Sequence, residues 1–136
     1  MSFGEIRGYE EAGTAIAPYT DFRHAFERAT GHEPFNLPNS WLDAKSRLDM
    51  AVPLNFCTTN DIIGGNSGSP VIDRDAQIVG IVFDGNIHSL GSDYAYEPKM
   101  SRAVAVHSAA IIEALDKIYK ARRVFDELRA TRGDSR

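Results

Sequence analysis

The stretch Gly65-Asn66-Ser67-Gly68-Ser69-Pro70, led in by Asn60-Asp61-Ile62-Ile63-Gly64, decides how the rest of the chain is read. A serine that attacks an amide must stand on a sharp turn. Its Oγ then points into a cleft while neighbouring backbone N–H groups converge beside it. Glycines at 65 and 68 permit that turn and let a second backbone approach closely. The N–H groups of Gly65 and Ser67 would form the oxyanion hole, where one lost donor costs a factor of about 100–1,000 in rate. Taken alone, the same six residues serve equally well as a glycine-serine hairpin joining two strands.

The flanks are those of a β-rich domain. A strand is expected over 55–59 before the glycine turn, a short one over 71–73 after it, and a strongly apolar one over 77–83. Asp84-Gly85-Asn86 punctuates the end of that strand, and 102–106 can form one more. Residues 1–18 read as strand and loop. Helical spacing of Phe22, Ala25, Phe26 and Ala29, with Gly31 as a left-handed stop, predicts a helix over 20–29. A second short helix starts at Ser40, with Asp43 three residues on in a box-like arrangement. Ile111, Leu115, Ile118, Phe125 and Leu128 recur at helical intervals, which predicts a terminal helix over about 108–129 capped by Ser108. The expected layout is strand and loop over 1–18, helices over about 20–48, a β-barrel over about 53–106 and the terminal helix, with a polar, frayed end beyond it.

Composition sets the outer bounds. The 136 residues fit one domain, with 43% apolar and 25% charged residues, ordinary for a soluble globular chain. Net charge is −4, and the only basic cluster is Lys120, Arg122 and Arg123 on a helix, so no nucleic-acid partner is expected. The apolar runs fall far short of the ~20 residues of a membrane span, and Glu5, Glu10 and Glu11 interrupt any signal-peptide core. Cys57, the single cysteine, sits in an apolar strand, where a buried inert thiol is the ordinary role. No pair of histidines or cysteines has metal-ligand spacing, and no glycine loop precedes a phosphate-binding lysine, so neither metal nor cofactor is expected.

The six-residue turn is similar to the G-D-S-G-G-P signature of trypsin-like serine peptidases, with Asn66 for aspartate and Ser69 for a glycine. The 11-residue run from Asn60 to Pro70, with Phe83-Asp84-Gly85-Asn86 behind it, more closely resembles the bacterial dipeptidyl-peptidase family of types seven and eleven. Weaker likeness runs through Pro53-Leu54-Asn55-Phe56, Ser92-Asp93 and Arg102. These are serine exopeptidases that take dipeptides from a free amino end. The resemblance implies a mostly β fold with flanking helices: the second barrel of a trypsin-like double barrel, followed by a helix. It implies Ser67 as nucleophile, with Gly65 and Ser67 amides as oxyanion hole. Asp84 would hold the substrate's α-ammonium, and Gly85 and Asn86 would line the binding site. Gly85 stands where acid-selecting members carry arginine, which implies an apolar preference. An aspartate is expected at position 107, where this chain has histidine.

No histidine motif of the family precedes Ser67, so the resemblance covers only a carboxyl-terminal portion. The catalytic histidine and aspartate are expected from the missing amino-terminal barrel, in cis or in trans, and the chain alone is expected to be inactive. Full-length members are expected in the periplasm or secreted. A non-catalytic peptide-binding module and one subunit of a split peptidase are the alternatives, and self-association into a homo-oligomer is expected from the apolar face that half a double barrel leaves. His24 and His32 read as surface histidines, and Asp61 as a loop anchor. Trp41 reads as a packing residue. His88, four residues past Asp84, is tempting as a base, yet in this fold the base approaches from the opposite barrel.

Overall fold

A computed structural model describes residues 1–91 and 94–130; the Ser92-Asp93 likeness and the fraying expected for 131–136 lie outside the described residues. Among the described residues, seven strands form two sheets. β1 (Tyr9–Glu11) and β2 (Thr14–Ile16) make a hairpin. β3 (Tyr19–Asp21), β4 (Pro53–Thr58), β5 (Pro70–Ile72), β6 (Ile78–Gly85) and β7 (Ala103–His107) form an antiparallel sheet in the order β3-β4-β7-β6-β5. The mostly β character with flanking helices is as expected. The barrel over 53–106 is an open sheet among the described residues, because its edge strands β3 and β5 have only three residues each and do not pair with one another.

Each sheet face carries its own core. On one, Phe22, Ala44, Leu48, Ala110 and Ile118 are buried beneath the helices, with Leu54 and Val106 packed against them from the sheet. On the other, Phe56, Val82 and Ala105 are buried together, with Ile62, Val71 and Val79 at the margin. Alternation along β7 explains how Ala105 and Val106 serve opposite faces. Leu54 and Phe56 have the same parity, yet they also face opposite ways. The register of β4 against β3 slips by one residue at Leu54, and that bulge reverses the pleat. Gly80 is needed where it stands: a Cβ there would lie 2.5 Å from the Phe56 ring and 2.6 Å from the Val106 carbonyl oxygen.

The helices differ from the sequence expectation at their ends. α1 (Phe22–Arg28) is held by Asp21, whose Oδ1 accepts the His24 N–H at 3.0 Å while His24 Nδ1 accepts the Asp21 N–H at 3.3 Å. α2 (Asn39–Ala44) has no side-chain cap from Ser40, which lies inside it. The carbonyl of Pro38 accepts the N–H groups of Trp41 and Leu42 instead, so the backbone itself opens the turn.

The terminal helix is broken into α3 (Ser108–Glu113), a π turn over Ala114–Ile118 and α4 (Arg122–Ala130). The N–H of Tyr119 reaches back to Ala114 and that of Ala121 to Leu115, closing the first part over Lys120 at φ +53°. A three-to-four-residue apolar rhythm runs through such a break unaltered, which is why the pattern reads as one helix.

Arg102, only 2% exposed, ties the first hairpin to the sheet. Its guanidinium donates to the carbonyl oxygens of Arg7, Gly8, Pro98, Lys99 and Ser101 at 2.7–3.2 Å. A buried cation is tolerable when its fixed fork of donors is met this completely.

Candidate active site

Ser67 sits on a turn whose bonds run in two directions. Inward, Asn66 Oδ1 accepts the Ile63 N–H at 2.9 Å, and the Asn66 N–H donates to the Ile63 carbonyl at 3.2 Å. Across to β6, the Gly68 N–H donates to the Val82 carbonyl at 2.7 Å, and the Val82 N–H returns to the Ser69 carbonyl at 3.0 Å. Gly65 and Gly68 take φ of +96° and +89°, conformations that a side chain would strain. The turn is therefore a fixed loop rather than a simple hairpin. Among the described residues the amides of Gly65 and Ser67 donate to nothing, so two N–H groups are left for a ligand oxygen.

β6 supplies the other wall. Its register against β7 slips between Val82 and Asp84, so Phe83 is the extra residue of a bulge. Val82 remains in the core while Phe83 and Asp84 are both exposed. Ser67 Oγ donates to the Phe83 carbonyl oxygen at 3.2 Å. Asp84 Oδ1 accepts the Gly85 N–H at 2.8 Å, leaving the second carboxylate oxygen for a cation. The two residues most strongly indicated by sequence, Ser67 and Asp84, thus flank one strand segment.

Gly85 and Asn86 play different parts from one another. Gly85 is half-buried and pairs with Ala103, so β6 runs two residues further than its apolar pattern. Both ends of the Asn86 carboxamide are committed within the protein. Its Nδ2 donates to the Met100 carbonyl at 2.7 Å, and its Oδ1 accepts the Arg102 N–H at 2.9 Å. The Asn86 N–H also donates to the Arg102 carbonyl at 2.9 Å. Asn86 is a strut that fixes the end of β6.

The histidines stand elsewhere. His88 Nε2 lies 2.7 Å from Glu11 Oε1 and its ring packs edge-on against Tyr9, so it joins the first hairpin rather than Ser67. His24 is the partner of Asp21 at the start of α1, and His32 is an exposed loop residue.

His107 has a role that its sequence position alone did not disclose. Its Nδ1 accepts the Ala109 N–H at 3.0 Å, making it, and not Ser108, the cap of α3. Aspartate is a preferred residue at such a position, so the histidine substitutes one acceptor for another. Burial against the rings of Phe56 and Tyr19 holds its pKa below the usual histidine value. The signal was available: a side-chain acceptor directly between an apolar strand and an apolar helix.

Cys57 is half-buried, its thiol donates to the Arg7 carbonyl at 3.3 Å, and burial pushes its pKa up, all of which make it inert. Trp41 packs its ring 5.4 Å from that of Phe22 and donates to the Tyr119 hydroxyl, as a packing residue does. No group of three or more histidine, cysteine or acidic side chains able to hold a metal occurs among the described residues. No helix among them is long and apolar enough to cross a membrane.

The same fold occurs in bacterial dipeptidyl peptidases. The crystal structure of Porphyromonas endodontalis DPP11 in complex with the dipeptide Arg-Asp matches with a TM-score of 0.83 at 26% identity, over 93% of this chain and 20% of that one. The architecture is therefore shared with part of a dipeptidyl peptidase. By sequence, the model of the peptidase S46 family matches residues 1–130, and the chain belongs to that family. Among its relatives, dipeptidyl-peptidase 7 of Porphyromonas endodontalis is 32% identical over 145 residues, covering 100% of this chain and 18% of the relative. An Asp/Glu-specific dipeptidyl-peptidase of Shewanella putrefaciens is 30% identical over 159 residues, covering 94% and 22%. The chain thus spans about a fifth of the length of the curated relatives it matches.

Proposed function

We propose that this chain is the nucleophile-bearing portion of a serine dipeptidyl peptidase that releases dipeptides from the free amino end of oligopeptides. The observation that carries the reading is the joint placement of Ser67, two free amides and an exposed carboxylate around the bulge at Phe83. Ser67 Oγ attacks the carbonyl of the second peptide bond once a histidine held by an aspartate takes its proton. In this reading both come from the amino-terminal barrel of the complete enzyme. The Gly65 and Ser67 amides receive the negative charge that develops on the carbonyl oxygen. The serine ester then forms, the shortened peptide leaves with the proton from histidine, and water releases the dipeptide. Asp84 holds the α-ammonium, which sets the length of the product.

Phe83 bears on the nucleophile directly. With no histidine bonded to Ser67 among the described residues, its hydroxyl rests on the Phe83 carbonyl, a weak acceptor that leaves it a poor nucleophile. The chain on its own is therefore inactive in this account, and the base must displace that resting hydrogen bond. The reading is tested by Ser67→Ala in the complete enzyme with a free-amino peptide as substrate. Dipeptide release should fall by at least a factor of about 10,000, since loss of the nucleophile can cost on the order of a million-fold. Retention of release within tenfold of the unmutated enzyme removes Ser67 from the mechanism.

A further inference from the structure

We propose that Ser89 is a specificity-determining residue that acts together with Gly85, filling the volume into which a side chain at position 85 would extend. A Cβ placed on Gly85 would overlap Ser89 Oγ outright and stand 3.1 Å from Ser89 Cβ. Rotating the hydroxyl away removes only the first of these contacts. It also breaks the bond by which Ser89 Oγ donates to the Asn86 carbonyl at 2.7 Å.

The turn that carries Ser89 is held in place from several sides. It is the 3₁₀ turn Ile87–Gly91, and the Ser89 N–H also donates to the Asn86 carbonyl at 2.9 Å. Ser101, completely buried, donates its hydroxyl to the His88 carbonyl at 3.0 Å. The His88 ring is engaged by Glu11, and Asn86 is pinned by Met100 and Arg102. A segment fixed at so many points does not yield to a larger neighbour.

Two consequences follow for recognition, given the peptidase reading above. The space beside Gly85 is closed by a neutral hydroxyl whose proton is already committed, so it offers no cation to a carboxylate. Its substrates carry an uncharged side chain next to the scissile bond, and the size of residue 89 limits how large that side chain is. An acid-binding arginine at position 85 also needs a residue without a side chain at 89. Selectivity for acidic substrates is thus a two-residue property in this chain.

The test compares Gly85→Arg, Ser89→Gly and their combination in the complete enzyme, on peptides with leucine or aspartate next to the scissile bond. Gly85→Arg alone should lose at least tenfold in kcat/KM on leucine peptides without gaining on aspartate. The double variant should exceed it at least tenfold in the aspartate-to-leucine ratio. Equal ratios for the single and double variants overturn the proposal. Should Gly85→Arg not fold, Ser89→Leu should lower the leucine-to-alanine ratio at least fivefold; an unchanged ratio overturns it as well. Thermal unfolding separates this proposal from the reading on which it rests. Gly85→Ala should lower Tm and added Ser89→Gly should restore it, and no shift with Gly85→Ala means that the steric contact is absent. If that pattern holds but the unmutated enzyme releases no dipeptides, the peptidase reading fails and the role in specificity falls with it.

Discussion

The Ser67 hydroxyl donates to the carbonyl oxygen of Phe83 at 3.2 Å, and Phe83 is the one extra residue of the β6 bulge. Were β6 to keep regular register through Val82, residue 84 would fall on the opposite face of the sheet from where the bulge leaves it. The bulge thus turns Phe83 and Asp84 together out of the core while Val82 stays in it. One irregularity in one strand sets both the resting partner of the nucleophile and the position of the carboxylate.

Asn66 holds the loop by one side-chain bond to the Ile63 N–H. In the complete enzyme, Asn66→Ala should lower kcat by about 10–100-fold with KM changed less than threefold, because misplacement of a nucleophile by about 1 Å costs on that scale. Asn66→Asp keeps an acceptor at the same place and should restore most of the loss. Steady-state kinetics of both variants check this; a rise in KM at constant kcat would mean that the loop binds substrate instead.

Asp84 should distinguish free from blocked amino ends. Asp84→Ala should reduce kcat/KM on free-amino peptides by about 2–4 kcal/mol, the range for losing a buried charge partner in a complex. Acetylated peptides should already be poor substrates and lose little more. The bond from the Gly85 N–H to Asp84 supplies the competing role, a carboxylate that only satisfies its own turn. Equal losses on both kinds of peptide would establish that competing role.

His107 should give the fold an acid-sensitive edge. Its pKa is lowered in the fold by burial, so the folded state favours the neutral ring. Its contribution is then complete above the unfolded value near 6.5 and is lost as pH falls below that toward the lowered folded value. Protonation at Nδ1 also removes the acceptor for Ala109. Denaturant midpoints measured at pH 8 and pH 5.5 should fall with acid for the natural chain. The drop should be smaller for His107→Asp, which caps without taking up a proton in that range. His107→Ala should cost about 1 kcal/mol at pH 8. Equal acid sensitivity in the natural chain and His107→Asp would assign the effect to other groups.

Much of this was legible in the sequence, for physical reasons that differ by element. The glycines at 65 and 68 announced a sharp turn, and both take positive φ in it. The apolar run over 77–83 announced a strand, and β6 is one, although only Gly80 and Val82 of it are buried and pairing with Ala103 carries it on through Asp84 and Gly85. The bulge at Phe83 left no mark, because an extra residue in a strand breaks alternation only where one face is polar. Breaks within an apolar helix are equally silent, as at Lys120. Ser89 and Arg102 act through backbone geometry, the first against an absent Cβ and the second on five carbonyl-bearing residues. Residue type alone points to neither role.

The account stands or falls on which residue is the activated nucleophile and on where its base comes from. Fluorophosphonate labelling followed by peptide mass mapping reads both, when applied to the complete enzyme and to this chain alone. The prediction is rapid labelling at Ser67 in the complete enzyme and none above background in the isolated chain. Labelling of the complete enzyme at any other residue, or rapid labelling of Ser67 in the isolated chain, would contradict it.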